Sequence, residues 1–203
     1  MGAFMKIGIM GGTFNPIHNG HIIIAQKAYA LVPLDKVLFM PSGTSYMKKN
    51  VLETSKRIAM VDLAISSYPN FALSTLETDR TGNTYTSETL EILTKLEPDS
   101  QYYFIIGADS LFQIESWRKP EKIFALSTLI CAVREGYQMP MIQEKGNELS
   151  KLGAKILYLN IPPINISSTN IRARVKNNCS ITELVPQAVA EYIKQEHLYY
   201  EED

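Results

Sequence analysis

Apolar positions along this chain follow two alternating patterns. The runs "KIGIMG" (6–11), "KVLFMP" (36–41), "NFALSTLE" (70–77), "QYYFIIGAD" (101–109) and "AKILYLN" (154–160) are rich in apolar or β-branched residues. They read as buried strands, and "ALSTLICAVR" (125–134) contains another. Longer stretches with helical spacing lie between them. These are "GHIIIAQKAYALV" (20–32), stopped by Pro33, the amphipathic "TSKRIAMVDLAISS" (54–67), with Thr54 or Ser55 as N-cap, and "TSETLEILTKLE" (86–97). From Pro162 the chain reads as helical again, through "SSTNIRARVKN" and "VPQAVAEYIKQEHLY".

Strands alternating with helices imply right-handed βαβ units. The expected class is α/β, a doubly wound, Rossmann-like parallel sheet with helices on both faces and a helical C-terminal region (162–203). One domain is expected over 1–203. "MKIGIMGG" reads as a complete start, which leaves residues 1–4 open as a leader. Ligands of such sheets sit outside the carboxyl ends of the strands, where the strand order reverses. The first strand ends at Gly11–Gly12, so the residues that follow fall at that edge. The terminal "YYEED" is expected to fray.

Composition narrows the classes. The 203 residues are 45% hydrophobic, enough for one well-formed core. Lys plus Arg is 20 and Asp plus Glu is 21, for a net charge of -1. That balance argues against non-specific binding to nucleic acid or to an anionic membrane. No segment has the length of a membrane span and no signal-like start is visible. Cys131 and Cys179 have neither metal-ligand nor disulfide-framework spacing, so a reducing cytoplasm is the default. The sequence leaves homo-oligomerisation open.

The candidate chemistry starts at "GGTFNPIHNGH" (11–21), which holds two of the three histidines. Glycines let backbone approach a ligand, and a helix starting near Asn19 or Gly20, with Asn19 as N-cap, would offer free amides to an anion. His18 and His21, three apart, would project about 60° apart from one helical turn. Imidazoles and amides would converge as a phosphate site. Each part alone has a plainer reading: a glycine pair is a turn, and two histidines are surface groups or a weak metal pair. Zinc takes three or four ligands, and the remaining histidine, His197, lies in the tail, so no protein-held metal is expected. A second cluster is "NISSTNIRARV" (165–175). Ser167, Ser168 and Thr169 precede a helical run, and Arg172 can fold back toward the same anion. Ser/Thr caps without any ligand are common, so this cluster alone is weak.

The first string resembles the [ST]F-x-P-x-H-x-G-H signature of HxGH-type nucleotidyltransferases, relatives of the class I aminoacyl-tRNA synthetases. "ISSTNIR" (166–172) is similar to that family's C-terminal ISSTxIR motif, and the separation of the two also fits. The resemblance implies that His18, His21 and Arg172 act on the ATP phosphates. It places Gly11, Gly12, Thr13, Phe14, Ser167, Ser168, Thr169 and Ile171 in the ATP site. The usual acidic residue of "GTFDP" is Asn15 here. Adenylyl transfer between two bound substrates needs positioning and electrostatic stabilisation but no enzyme nucleophile. Magnesium would ride on ATP.

The middle of the chain resembles the bacterial nicotinate-nucleotide adenylyltransferases. "NTYTSETL" (83–90) is similar to a segment whose Tyr-Thr pair, Tyr85 and Thr86 here, helps to hold the pyridine carboxylate. "FIIGADSLFQIESW" (104–117) resembles one in which Gly107 and Asp109 would meet ribose or adenosine, and Trp117 would stack on the nicotinate ring. A lone tryptophan is more often core, but Arg118 and Lys119 after it suggest a surface edge. "AVREGY" (132–137) would bring Arg134 near the ligand. The loop "MPSGTSYMKK" departs from the family's "MPxxxPPHK" but keeps Lys48 as a phosphate contact. The implied substrates are ATP and nicotinate mononucleotide, and the implied product is nicotinate adenine dinucleotide. A nicotinamide mononucleotide or phosphopantetheine acceptor, or a non-catalytic nucleotide sensor, are the alternatives.

Overall fold

The computed structural model describes residues 4–43, 51–133, 138–161 and 164–200. Among them, six strands form one parallel sheet: β1 (Lys6–Gly12), β2 (Lys36–Pro41), β3 (Phe71–Leu73), β4 (Gln101–Gly107), β5 (Ser127–Val133) and β6 (Lys155–Asn160). Their order is β3-β2-β1-β4-β5-β6, with every neighbouring pair parallel. This is the doubly wound α/β sheet expected from the alternation of elements. The order reverses between β1 and β4. Met10 of β1 lies opposite Phe39 on one side and Ile105 on the other, so β1 and β4 end side by side.

The helices are α1 (Asn19–Leu31), α2 (Thr54–Ile65), α3 (Thr86–Leu96), α4 (Ala108–Gln113), α5 (Pro120–Leu126), α6 (Met139–Lys151), α7 (Ser168–Lys176) and α8 (Gln187–Gln195). Strand side chains alternate between the two faces of the sheet. Met10, Phe39, Ile105 and Ile130 join Ile24, Val61, Ile171 and Val189, which come from α1, α2, α7 and α8. Ile9, Met40, Phe104 and Leu129 face the other way and join Leu90, Leu111, Phe124 and Ile142, from α3 to α6. Helices α1 and α4 follow adjacent strand ends and leave on opposite faces, and that divergence opens a crevice.

Several local expectations are corrected. The strand expected over 70–77 is only Phe71–Leu73. Ser74 N–H gives the last ladder bond, to Phe39 O, and the chain then turns, with Asp79 N–H on Thr75 O, Thr75 Oγ1 on Asp79 Oδ2 and Thr78 Oγ1 on Thr75 O. These local bonds outcompete strand pairing. Helix α2 is capped by Glu53 rather than Thr54 or Ser55, and Thr54 Oγ1 accepts from Arg57 instead. The strand expected within 125–134 is β5, preceded by Ala125 and Leu126 at the end of α5. Helices α4, α5 and α6 fall outside the sequence expectations: α4 and α5 are short, and α6 buries Ile142, Gly146 and Leu149 along one face but opens with Pro140 and carries a glycine inside it. A Cβ on Gly146 would lie 1.8 Å from Tyr158 Oη, so this glycine serves close packing on β6. The tail is docked as far as Tyr199, whose hydroxyl donates to Asn15 Oδ1 at 2.9 Å.

Cys131 is buried, which pushes its thiol up to about 12, and Cys179 is exposed. Among the described residues, no helix is long and apolar enough to cross a membrane.

The chain leaving β2 passes close to the segment after β3. A Cβ on Gly43 would meet the carbonyl oxygen of Glu77 at 2.5 Å, and backbone cannot swing aside as a side chain can. Gly43→Ala is expected to cost about 1–3 kcal/mol, measured as a lower urea midpoint at unchanged m-value.

Candidate active site

The loop after β1 is built by force from outside it. Phe14 sits at φ 50°, a left-handed conformation that is uncommon away from glycine, and the Asn15–Pro16 peptide is cis. The Phe14 ring is buried, edge-on to His21 at 5.1 Å and next to Phe39. Three carbonyls of the loop are gripped by distant residues. Thr13 O accepts from Arg57 Nη1 at 2.9 Å, Asn15 O from Arg172 Nη1 at 2.8 Å, and Pro16 O from Ser168 Oγ at 2.9 Å. The two motifs read from opposite ends of the sequence are therefore hydrogen-bonded to each other.

A cleft of about 510 Å³ opens at this junction, at the carboxyl ends of β1 and β4. Of the residues singled out from the sequence, Gly11, Gly12, Thr13, Phe14, His21, Gly107, Asp109, Trp117, Ser168, Thr169 and Arg172 line it. His18, Tyr85, Thr86, Ser167 and Ile171 do not. Lys48 and Arg134 lie outside the described residues. Ile171 is fully buried in the core under α7, so its side chain cannot meet a ligand there. Ser167 is the N-cap of α7 and accepts from Asn170 N–H at 3.2 Å.

The histidine pair differs from the expected picture. His18, not Asn19, is the N-cap of α1, and the His21 side chain reaches back to the His18 backbone. Their rings stack at 3.8 Å, 26° from parallel, with His18 only 3% exposed and His21 at the cleft wall. His18 N–H donates to His21 Nδ1 at 3.2 Å. A neutral imidazole whose Nδ1 accepts carries its proton on Nε2, so His21 is set as an Nε2 donor. The helix start does not supply the free amides that were expected. Asn19 N–H donates to Leu184 O at 2.9 Å and His21 N–H to His18 O at 2.9 Å. Of these, the C-terminal region consumes the Asn19 amide, at the start of α1.

On the other side of the cleft, Trp117 is half-buried and edge-on to Phe104 at 6.2 Å. Tyr85 caps α3 outside the cleft lining, yet it is tied to the tryptophan's segment. The Arg118 guanidinium lies over the Tyr85 ring at 4.5 Å and 3.5 Å from Glu88, which also pairs with Arg80 at 2.9 Å. Behind these, Glu77 accepts from Thr89 Oγ1 at 2.8 Å and Thr84 Oγ1 at 3.2 Å. Burial holds its carboxyl above its ordinary value near 4.5, opposed by those hydroxyls and by Arg80.

Sequence reasoning missed Arg57 and Tyr199. Arg57 was legible in principle: it falls on the apolar stripe of α2 with Met60, Val61 and Ala64, where a cation is out of place. Tyr199 carried no local signal, because its partner Asn15 is 184 positions away.

Comparison with known proteins agrees with this geometry. The family described as Cytidylyltransferase-like matches residues 9–174. A protein of Lachnoclostridium phytofermentans named "probable nicotinate-nucleotide adenylyltransferase" is 42% identical over 197 residues, covering 96% of this chain and 98% of its own. The chain belongs to this adenylyltransferase family. A Corynebacterium kroppenstedtii relative of the same name is 41% identical over 97% of this chain and 92% of its own. The Plasmodium falciparum nicotinic acid mononucleotide adenylyltransferase complexed with NaAD shares the fold, with a TM-score of 0.82 at 24% identity over 96% of this chain and 97% of that one.

Two expectations follow for this adenylyltransferase site. A Cβ on Gly20 would meet His18 Nδ1 at 3.0 Å and Ile164 Cγ2 at 3.1 Å, so Gly20→Ala should displace the buried ring. Turnover should fall by about tenfold or more, with circular dichroism unchanged, and parental turnover would show that the ring's seat is not critical. For Glu77, the folded pKa lies above the unfolded one. The stability contributed by the protonated carboxyl is therefore present below about pH 4.5 and lost as pH rises through the folded value. Glu77→Gln, which carries no charge, should gain in Tm relative to the parent at neutral pH, and the gain should shrink near pH 4.5.

Proposed function

We propose that this chain joins ATP and nicotinate mononucleotide into nicotinate adenine dinucleotide, releasing pyrophosphate, as a step in NAD biosynthesis. The observation that carries this reading is the convergence in one cleft of the loop after β1, His21, the start of α7 with Arg172, and Trp117. The first three present donors to phosphate, and the last presents an aromatic face. The free thiols of Cys131 and Cys179 suit a reducing cytoplasm.

The reaction is an in-line displacement. A phosphate oxygen of the mononucleotide forms a bond to the α-phosphorus of ATP, the bond from that phosphorus to the bridging oxygen breaks, and pyrophosphate departs with the electron pair. Negative charge grows on the α-phosphoryl oxygens and on the leaving group. The Nε2–H of His21 and the guanidinium of Arg172 supply positive or donor groups there, fixed before the substrate arrives. His18, stacked behind His21, holds that ring in place. Ser168 spends its hydroxyl on Pro16 O, so we assign it to holding the loop, while Thr169 lies on the cleft. Gly107 and Asp109, at the end of β4, face the region where a nucleoside would lie.

Among the described residues, Asp109 is the one carboxylate lining the cleft, and no group of three or more His, Cys, Asp or Glu side chains is placed to hold a metal. A single carboxylate fits magnesium that enters bound to ATP and keeps several waters. Bound there, the ion would neutralise charge on the triphosphate. Trp117, with its ring partly held by Phe104, offers the stacking surface for the pyridine ring. Tyr85 and Thr86 lie at the start of α3, where amides suit a carboxylate, and Arg118 links them to the tryptophan's segment.

The test is pyrophosphate release from ATP and magnesium with nicotinate mononucleotide, nicotinamide mononucleotide and phosphopantetheine compared side by side. A higher kcat/KM for the nicotinate nucleotide is expected, and an equal or higher value for another acceptor would overturn the acceptor assignment. His21→Ala should lower kcat by about a hundredfold or more. Trp117→Ala should raise KM for the mononucleotide more than it lowers kcat.

A further inference from the structure

One side of α3 fastens the turn that carries Trp117. Tyr85, Glu88 and Glu91 are spaced by three, so they share that side of the helix. Arg118 and Lys122, spaced by four, lie across from them at the entry to α5 and inside it. Lys122 pairs with Glu91. Arg118 Nε lies 3.5 Å from Glu88 Oε1, and its guanidinium lies over the Tyr85 ring, 4.5 Å from the ring centre. The other oxygen of Glu88 accepts from Arg80 Nη2 at 2.9 Å, so this carboxylate is itself anchored. Because Glu88 balances its charge, Arg118 contributes placement more than attraction for an anion.

The turn needs such a grip. Trp117 lines the cleft, Arg118 is tied to α3, and Lys119 sits at φ 53°, in the left-handed region. A non-glycine residue held there is strained, and the strain persists only where the surroundings over-determine it. Pro120 then opens α5. The Trp117 ring meets Phe104 edge-on at 6.2 Å. With a strained turn on one side and an edge contact on the other, the seat of this ring depends on what holds the residue after it.

We propose that Arg118 is a positioning residue that sets acceptor specificity. By gripping Tyr85, it keeps the Trp117 ring in register with the start of α3. An acceptor with an acidic group on a flat ring uses both walls at once, the ring on Trp117 and the acid at the first amides of α3. An acceptor with an uncharged substituent uses only the ring platform. This inference rests on reading the cleft as the site of a pyridine mononucleotide. It accounts for a feature that the bare reaction does not require: the arginine next to the ring platform is spent on a tyrosine outside the cleft lining.

The test uses the intact chain, with Tm recorded for each variant. Arg118 is half-exposed, so its variants should melt close to the parent. Trp117 is the one tryptophan of the sequence, so intrinsic fluorescence reports its seat alone. Arg118→Gln and Tyr85→Leu should each shift the emission to the red and raise quenching by acrylamide. Unchanged emission and quenching overturn the proposal. In steady-state kinetics, Arg118→Gln should raise KM for nicotinate mononucleotide about fivefold, with KM for ATP and for nicotinamide mononucleotide within about twofold of the parent. Equal rises for the two acceptors, or a matching rise for ATP, overturn it. The double variant should raise KM no further than the larger single change, and effects that multiply would mean two independent residues and no grip. Arg118→Lys keeps a cation for Glu88 but loses the planar guanidinium, and should recover only part of the loss. Full recovery would mean that charge alone matters and would also overturn the proposal. A parent chain that turns over no pyridine mononucleotide overturns the acceptor reading, and this inference with it. Failure of the grip alone leaves the parent active and shows only in the variants.

Discussion

Three backbone carbonyls in a row of four residues organise this protein. Thr13, Asn15 and Pro16 each present an oxygen that the sheet cannot satisfy, because β1 has already ended at Gly12. The donors come from α2 and α7, as Arg57, Arg172 and Ser168. A buried carbonyl without a partner is costly, and a hydrogen bond from a charged donor is worth about 1.5–3 kcal/mol. The loop can therefore keep its left-handed Phe14 only when helices from the middle and the end of the chain are docked. The binding site and the closure of the fold are one set of bonds.

That dependence explains where the helices go. Helices α1, α2, α7 and α8 all cover one face of the sheet, and two of them, α2 and α7, hydrogen-bond to the first loop. The last turns of the chain close the set. Leu184 O takes the Asn19 amide, Glu183 O takes Asn19 Nδ2, and Tyr199 takes Asn15. The other face carries α3 to α6 and supplies the aromatic side of the cleft through Phe104 and Trp117. The crevice between β1 and β4 is thus walled by polar donors from one layer and by an aromatic surface from the other. A molecule with a polyphosphate and a flat heterocycle matches both walls.

Electrostatics follow the same division. The chain as a whole is nearly neutral, with a net charge of -1. Two of its cationic side chains, the buried Arg57 and Arg172, face the first loop. Glu77 and Glu88 lie outside the cleft lining, in a network with Arg80 and Arg118 where hydroxyls and guanidiniums balance them.

Much of this was determined by the sequence alone. Continuous apolar strand runs and helices of period 3.6 are local signals, so the α/β class and the places of β1, β2 and β4 could be read directly. The glycines, the proline and the HxGH spacing marked the first loop, and "ISSTNIR" marked α7, because each motif lies within one turn or loop. Tertiary structure decided what depends on residues far apart. It shortened β3 to an edge of three residues, tied Asn19 at the start of α1 to the 183–184 carbonyls, and moved Ile171 into the core. It placed His18 behind His21 rather than beside it, and turned the expected loose tail into the residue that binds Asn15. The physical reason is common to all of these. A side chain's propensity is set by its neighbours in sequence, but whether a buried polar group is paired, and with what, is set only when distant elements meet.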